Sequence, residues 1–382
     1  MKIGIVCYPT FGGSGVIATE LGKGLASQGH QVHFITYKRP ARLNAFYENI
    51  TYHEVNALQY PLFEYTPYES ELASKLVDVV RYEKLDVLHV HYAIPHAAVA
   101  YMTKQILKTK GIYIPVVTTL HGTDITLVGT NKAFASVVEF SINNSDAVTT
   151  VSDSLRQETL NKFEIDQEIE VIYNFIDPDR FKRLNKDHFR KAIAPNDEKI
   201  IIHTSNFRKV KRVDDAIKAF AKIRAEIECK LILIGDGPER PAMEELCRHI
   251  GLCDEIRFLG KQDAVEEILA IGDLFFLPSE NESFGLAALE AMACGLPVIS
   301  TNIGGLPEVN TEGVTGFLFD VGDIDGMAKS AINLLADEKQ LKKMKVNAYN
   351  RSQEFKLDKI LERYVRVYKL VIAKAKSEAV TI

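Results

Sequence analysis

The stretch that decides the reading is Glu282-Ser-Phe-Gly-Leu-Ala-Ala-Leu-Glu290, followed at once by Ala291-Met-Ala-Cys-Gly-Leu-Pro297. The apolar run Leu274–Leu277 just upstream reads as a buried strand, and Glu282 falls in the loop after it. Gly285 opens a helix that runs to about Cys294, where Gly295 can cap it and Pro297 forbids continuation. At that helix start the backbone N–H groups of Ser283, Phe284 and Gly285 have no intrahelical partner, and an anion is favoured there. Glu290 lies about five residues into the helix, roughly 8 Å along its axis. An acid, a cradle for an anion and a second acid in this order suit a sugar, a diphosphate and a ribose held in line. That is the outline of a nucleotide-sugar. As an isolated pair, two such glutamates would be solvated helix charges, so the decision rests on what surrounds them.

Working outward, the chain alternates strand and helix twice. Lys2–Cys7, Val32–Thr36, Val87–His91, Val116–Leu120 and Ala147–Val151 are apolar runs separated by helical stretches. The pattern restarts at Ile200–Ser205 and continues through Lys230–Gly235, Glu255–Leu259, Asp273–Leu277 and Pro297–Thr301. Ile169–Arg180 lies between the two series and ends as a linker. This is the pattern of two open, mostly parallel α/β sheets, and 382 residues exceed what one ordinary core accommodates. Two doubly wound domains are expected to bind ligands at the carboxyl ends of their strands, in the cleft where they face each other.

The net charge of −5 leaves no basic excess for nucleic acid, so an anionic substrate must be met by local cations. Five cysteines without C-x-x-C spacing read as reduced thiols, mostly core fillers, in a cytoplasmic protein. The N-terminal Met1-Lys-Ile-Gly-Ile-Val-Cys7 enters a strand directly, and no run of about 20 apolar residues suggests a membrane span. Self-association is left open.

Three clusters carry candidate chemistry. Gly12-Gly-Ser-Gly15, between a strand and a helix, allows close approach of a phosphate, although its spacing fits a tight turn equally well. Ser205-Asn-Phe-Arg-Lys-Val-Lys-Arg212 concentrates four basic residues at the carboxyl end of a strand, where a diphosphate would lie. Lys38-Arg-Pro-Ala-Arg42 follows another strand, either as a solvated loop or as a clamp for a small anionic acceptor. His89 and His91 share a strand face and, with His96, raise a metal reading, but no carboxylate is spaced to complete the set.

Ser279-Glu-Asn-Glu-Ser-Phe-Gly285, Glu290, Gly304-Gly-Leu-Pro-Glu308 and Gly313-Val-Thr-Gly-Phe-Leu-Phe319 together resemble the E-x7-E region of retaining glycosyltransferases. The resemblance is to the glycogen-synthase-like family 4 and covers essentially the whole chain. It implies the GT-B fold: an acceptor domain over 1–175, a nucleotide-sugar domain over 176–357, and a C-terminal helix over 358–382 returning to the first domain. It places Glu282, His121 and Lys211 in catalysis, with His121 in Thr118-Thr-Leu-His-Gly-Thr-Asp124 beside the hexose. Donor contacts implied are Gly15, Asn206, Lys211, Gly260, Gln262, Glu282, Ser283, Phe284, Gly285 and Glu290, the last on the ribose. Asn206 stands where the family carries an arginine, and whether Arg208 or Arg212 replaces it stays open. Ser14, Arg42, Tyr92 and Thr119 are the acceptor contacts.

Details such as Cys7-Tyr-Pro-Thr-Phe-Gly-Gly-Ser-Gly15 and His89-Val-His-Tyr-Ala-Ile-Pro-His96 are similar to a narrower branch of the family. That branch implies transfer of N-acetylglucosamine from UDP-GlcNAc to L-malate, the first step of bacillithiol synthesis, with the α-anomer kept. No cofactor and no metal are implied. A transferase with an inositol phosphate or lipid acceptor would share the donor motifs. A nicotinamide-dependent oxidoreductase would leave Glu282 and Glu290 unexplained. A non-catalytic sugar-binding protein would be expected to carry a secretion signal.

Overall fold

The computed structural model describes residues 1–56, 67–128, 132–184 and 186–380. The last two residues of the expected terminal helix, 381–382, lie outside the described residues. The chain divides into two compact units, one formed by Met1–Asn174 with the segment from Leu357 onward, the other by Phe175–Lys356.

In the first unit, β1 (Lys2–Val6), β2 (Gln31–Thr36), β3 (Ile50–Glu54), β4 (Val87–His91), β5 (Val116–Leu120), β6 (Ala147–Thr150) and β7 (Ile169–Val171) form one sheet. Its order is β3-β2-β1-β4-β5-β6-β7, with every pair parallel. The central strands β1, β4 and β5 are buried almost throughout because helices cover both faces. In the second unit, β8 (Lys199–Thr204), β9 (Cys229–Ile234), β10 (Ile256–Gly260), β11 (Leu274–Leu277), β12 (Val298–Thr301) and β13 (Gly316–Phe319) pair in parallel in the order β10-β9-β8-β11-β12-β13.

Strands β3, β7 and β13 go beyond the sequence reading. Residues of β3 are half-buried or exposed and none is fully buried, and Thr51, Tyr52 and His53 give it no apolar run. Only three residues make up β7, inside the stretch read as leading to a linker. β13 begins at Gly316, where a Cβ would stand 1.7 Å from the carbonyl oxygen of Val298, so glycine here marks strand contact rather than a loop.

The helix Leu357–Val380 belongs to the first unit. It packs on the helix Gly13–Ser27, where Leu361 occupies the space a side chain at Gly24 would need, 2.9 Å from an added Cβ. Tyr364 and Tyr368 are buried under β4, and the Tyr368 hydroxyl lies 2.7 Å from His89 Nδ1. Arg363 and Arg366 both reach Glu170 on β7, at 2.9 and 2.7 Å.

Candidate functional site

In the second sheet the strand order reverses between β8 and β11, and at such a point the loops on either side part to leave a crevice at the carboxyl ends. Lys211 follows β8 and Glu282 follows β11. Their side chains meet there, Lys211 Nζ 2.5 Å from Glu282 Oε1, with 16% and 14% of each side chain exposed. The Ser279 hydroxyl donates to the same carboxylate oxygen at 3.0 Å. The two loops are tied by their backbones, since Glu280 N–H donates to the Val210 carbonyl at 2.8 Å.

Local sequence explains why the Glu282 loop holds its shape. Gly305 N–H donates to the Glu282 carbonyl at 3.0 Å, and a Cβ on Gly304 would stand 1.9 Å from that same oxygen. Gly285 has φ +94°, a conformation glycine adopts at little cost, and caps the helix Leu286–Ala293. Cys294 is the C-cap and Gly295 follows with φ +83°, so the stop falls where the glycine and proline place it. Phe284 is buried with its ring against Phe355, while Ser283 and Glu290 are half-buried. Glu290 is the fifth residue of that helix.

The basic loop after β8 has a definite internal arrangement. Arg212 donates to the buried Asp215 at 2.5 Å and is thereby committed to the start of the helix Val213–Arg224. Arg208 instead faces Asn206: with the amide oxygen turned toward it, Asn206 accepts from Arg208 Nε and Nη2 at 3.1 and 3.2 Å. A cation therefore stands beside the position where the family carries one. Beneath the loop lies His203, a residue the sequence reading passed over. It is buried between the Phe276 carbonyl, 3.0 Å from Nδ1, and the Ser205 hydroxyl, 2.8 Å from Nε2. A carbonyl only accepts, so Nδ1 carries the proton and Nε2 accepts from Ser205. Burial lowers the pKa of His203 to about 4, which keeps the ring neutral. Gly260 ends β10 with φ +67° and its carbonyl accepts from Gly235 N–H, while Gln262 is exposed and donates to the Leu259 carbonyl at 2.6 Å.

In the first unit, the start of the helix Gly13–Ser27 and the turns after β4 and β5 bring Ser14, Tyr92 and His121 together. The Tyr92 hydroxyl donates to Ser14 Oγ at 2.6 Å, and the Tyr92 and His121 rings lie 5.2 Å apart. Tyr92 holds a left-handed backbone at φ +84°, and burial pushes its hydroxyl up to about 12, so it stays a donor. His121 Nε2 lies 2.7 Å from Nδ1 of the buried His91, and burial lowers the pKa of His121 to about 3. Asp124, also passed over in the sequence reading, accepts from Ala93 N–H at 2.9 Å and Gly122 N–H at 3.0 Å. It so clamps the ends of β4 and β5 against each other. Burial, partly offset by those amides, raises its pKa to about 6.

Thr119 is a correction. It is fully buried, its hydroxyl 2.7 Å from both His89 Nε2 and Thr149 Oγ1, and its carbonyl accepts from Tyr92 N–H. Its position on β5 points it into the packing under the C-terminal helix, so its side chain has no surface to offer an acceptor. Gly15 has a packing reason of its own, because a Cβ there would stand 2.4 Å from the Thr10 carbonyl and 2.5 Å from that of Tyr8. Arg42 is half-buried in a turn at φ +66°, whereas Lys38 and Arg39 are exposed. His89, His91 and His96 each face a different partner, respectively Tyr368 with Thr119, His121, and the His91 carbonyl.

Two family models match the chain: "Glycosyltransferase Family 4" over residues 11–180 and "Glycosyl transferases group 1" over residues 185–351. The chain is 50% identical, over 96% of its own length and 96% of the relative's, to N-acetyl-alpha-D-glucosaminyl L-malate synthase from Bacillus anthracis. The chain is a family 4 glycosyltransferase. This glycosyltransferase is also 26% identical, over 90% of its length and 83% of the relative's, to D-inositol 3-phosphate glycosyltransferase from Stackebrandtia nassauensis. Among solved structures it resembles sucrose-phosphate synthase from Thermosynechococcus elongatus, with a TM-score of 0.82 and 20% identity over 98% of this chain and 99% of the other. Anabaena Alr3699/HepE in complex with UDP and glucose gives the same TM-score, 0.82, at 22% identity over 97% and 99%. These likenesses give the glycosyltransferase the GT-B fold of two Rossmann-like domains.

Proposed function

We propose that this glycosyltransferase moves N-acetylglucosamine from UDP-GlcNAc to the hydroxyl of L-malate with retention of the α-anomer. The observation that carries the chemistry is the Lys211–Glu282 pair, a cation and an acid at the switch point of the second sheet. The acceptor rests on the relative that is 50% identical over nearly the whole chain. A UDP donor is supported by Alr3699/HepE, whose structure contains UDP and glucose.

In this reading the diphosphate lies against Lys211, Arg208 and the amides of Ser283–Gly285, with Asn206 as a neutral partner. Glu282 holds hexose hydroxyls and Glu290 takes the ribose diol, while Gly260 and Gln262 border the uracil. His121 stands beside the hexose as a neutral ring. The malate hydroxyl attacks the anomeric carbon on the face from which UDP leaves, and the departing β-phosphate oxygen takes its proton. The protein then needs no dedicated base; it positions reactants and stabilises charge. Ser14, Tyr92 and Arg42 serve the acceptor side, Arg42 as the planar cation for a carboxylate. Side-chain cations and amides neutralise the diphosphate, so a divalent ion is not required. Among the described residues no helix is long and apolar enough to cross a membrane, and none of the five cysteines is in a disulfide, which supports small soluble substrates in a reducing cytoplasm.

The test is UDP release from UDP-GlcNAc, in excess EDTA, against a panel of L-malate, D-malate, other hydroxy acids and inositol phosphate. Release that depends on L-malate supports the proposal. Release driven best by inositol phosphate would reassign the acceptor, and activity that vanishes with EDTA and returns with added divalent ion would overturn the metal-free chemistry.

A further inference from the structure

At the edge of the first sheet the geometry points to a second site: we propose that His33, His53 and Glu83 bind a divalent transition-metal ion of the zinc class. His33 lies on β2 and His53 on the neighbouring β3. The register pairs His33 with Thr51 and Ile35 with His53, so the two histidines sit two residues apart on one face of the sheet. Their rings stack at 5.2 Å with an interplanar angle of 19°, and His33 Nδ1 is 2.9 Å from His53 Nε2. Glu83, the last residue of the helix Tyr68–Glu83, completes the group, with one ligand atom from each residue all within 4.8 Å of one another.

Two imidazoles and one carboxylate are the protein donors of an open tetrahedral zinc site, with water in the fourth position. Bonds of about 2.0–2.1 Å to one tetrahedral ion would set the two nitrogens roughly 3.3 Å apart, a little wider than the 2.9 Å observed and within reach of small side-chain rotations. His33 is buried and His53 half-buried, so the pair lies at the edge of the core rather than free in solvent. Lys2, which donates to the Glu83 carbonyl at 2.9 Å, and Lys75 are the nearby cations and work against a metal; the Glu83 carboxylate works for it. A bound ion would tie the edge strand β3 to the end of the helix Tyr68–Glu83. None of the three residues belongs to the proposed transferase site, so this inference stands or falls separately from that reading.

Zinc chloride titrated into the metal-free full chain, followed by calorimetry, tests it. The expected result is saturable binding of one equivalent, weakened at least about tenfold in both His53→Gln and Glu83→Gln and unchanged in His249→Gln, which alters an exposed histidine elsewhere. Unchanged transferase rates in these variants would report an intact fold. Absence of a one-equivalent event in the native chain, or native affinity in the His53→Gln and Glu83→Gln chains, overturns the proposal and leaves a hydrogen-bonded histidine pair.

Discussion

The Lys211 ammonium sits 2.5 Å from the Glu282 carboxylate with both side chains largely shielded from water, where a charge acts more strongly than at the surface. In the proposed reaction negative charge on the leaving diphosphate grows as the glycosidic bond breaks, so a cation there would help the transition state most. Lys211→Ala is therefore expected to lower kcat roughly a hundredfold or more with a smaller change in donor affinity; near-normal kcat with a raised KM in steady-state kinetics would make Lys211 a ground-state contact only. Arg208→Ala is expected to weaken UDP binding about ten- to a hundredfold, the worth of a charge-assisted hydrogen bond. Arg212→Ala should act mainly on stability, because Arg212 is committed to Asp215. Calorimetry with UDP separates the two, and equal losses in both variants would contradict the assignment. Spacing after a readable strand singled out Glu282 and marked the basic loop after β8, while Lys211 within that loop came from the family resemblance. The choice between Arg208 and Arg212 was not legible, since it depends on which way two side chains turn. His203 and Asp124 were missed because a buried polar residue satisfied by backbone groups leaves no motif. Thr119 was named as an acceptor contact without a pocket to support it, and its burial on β5 depends on packing that its own sequence does not show.

At the scale of elements, both units place their chemistry where a strand turns into a helix, and the buried strands β1, β4, β5, β8 and β11 were plain in the sequence. The edge strands were not, because a half-exposed strand needs no apolar run. Strands and turns also bury an unusual set of histidines: His89, His91, His96, His121 and His203 all have pKa values below the ordinary 6.5 because burial disfavours their charge. The unfolded chain takes up protons on these rings as pH falls through 6.5, while in the folded chain His96 and His203 hold out to about 4, His89 and His121 to about 3, and His91 well below 6.5. Their contribution to stability is thus complete above 6.5 and is lost progressively as pH falls. Asp124 acts in the opposite sense between its folded value of about 6 and 3.8, holding a proton the unfolded chain releases, but it is one group against five. The folded state should lose on the order of a few kcal/mol between pH 7 and 5.5, seen as a falling Tm; a flat Tm across that range would show that these rings titrate normally.

At the scale of the whole chain, the net charge of −5 and the locally cationic loop after β8 belong together under the proposed function: an acidic protein meets a diphosphate donor by concentrating its cations. Two α/β units were legible from length and from the strand–helix alternation that stops and restarts. The place of the final helix was not derivable from its own sequence. Its amphipathic face needs a partner, and the structure supplies one in Gly24, His89 and the first sheet. Arg42 remains the cation whose role depends most on the acceptor, and Arg42→Ala is expected to raise the malate KM about ten- to a hundredfold while UDP-GlcNAc binding holds. An unaltered malate KM would shift the acceptor contacts to Ser14 and Tyr92. The most direct test of the central claim is proton NMR of the native enzyme with UDP-GlcNAc and L-malate, read at the anomeric position as the reaction proceeds. The account predicts UDP appearing in step with an α-linked N-acetylglucosaminyl malate, whereas a β-linked product, or UDP release indifferent to malate, would contradict it.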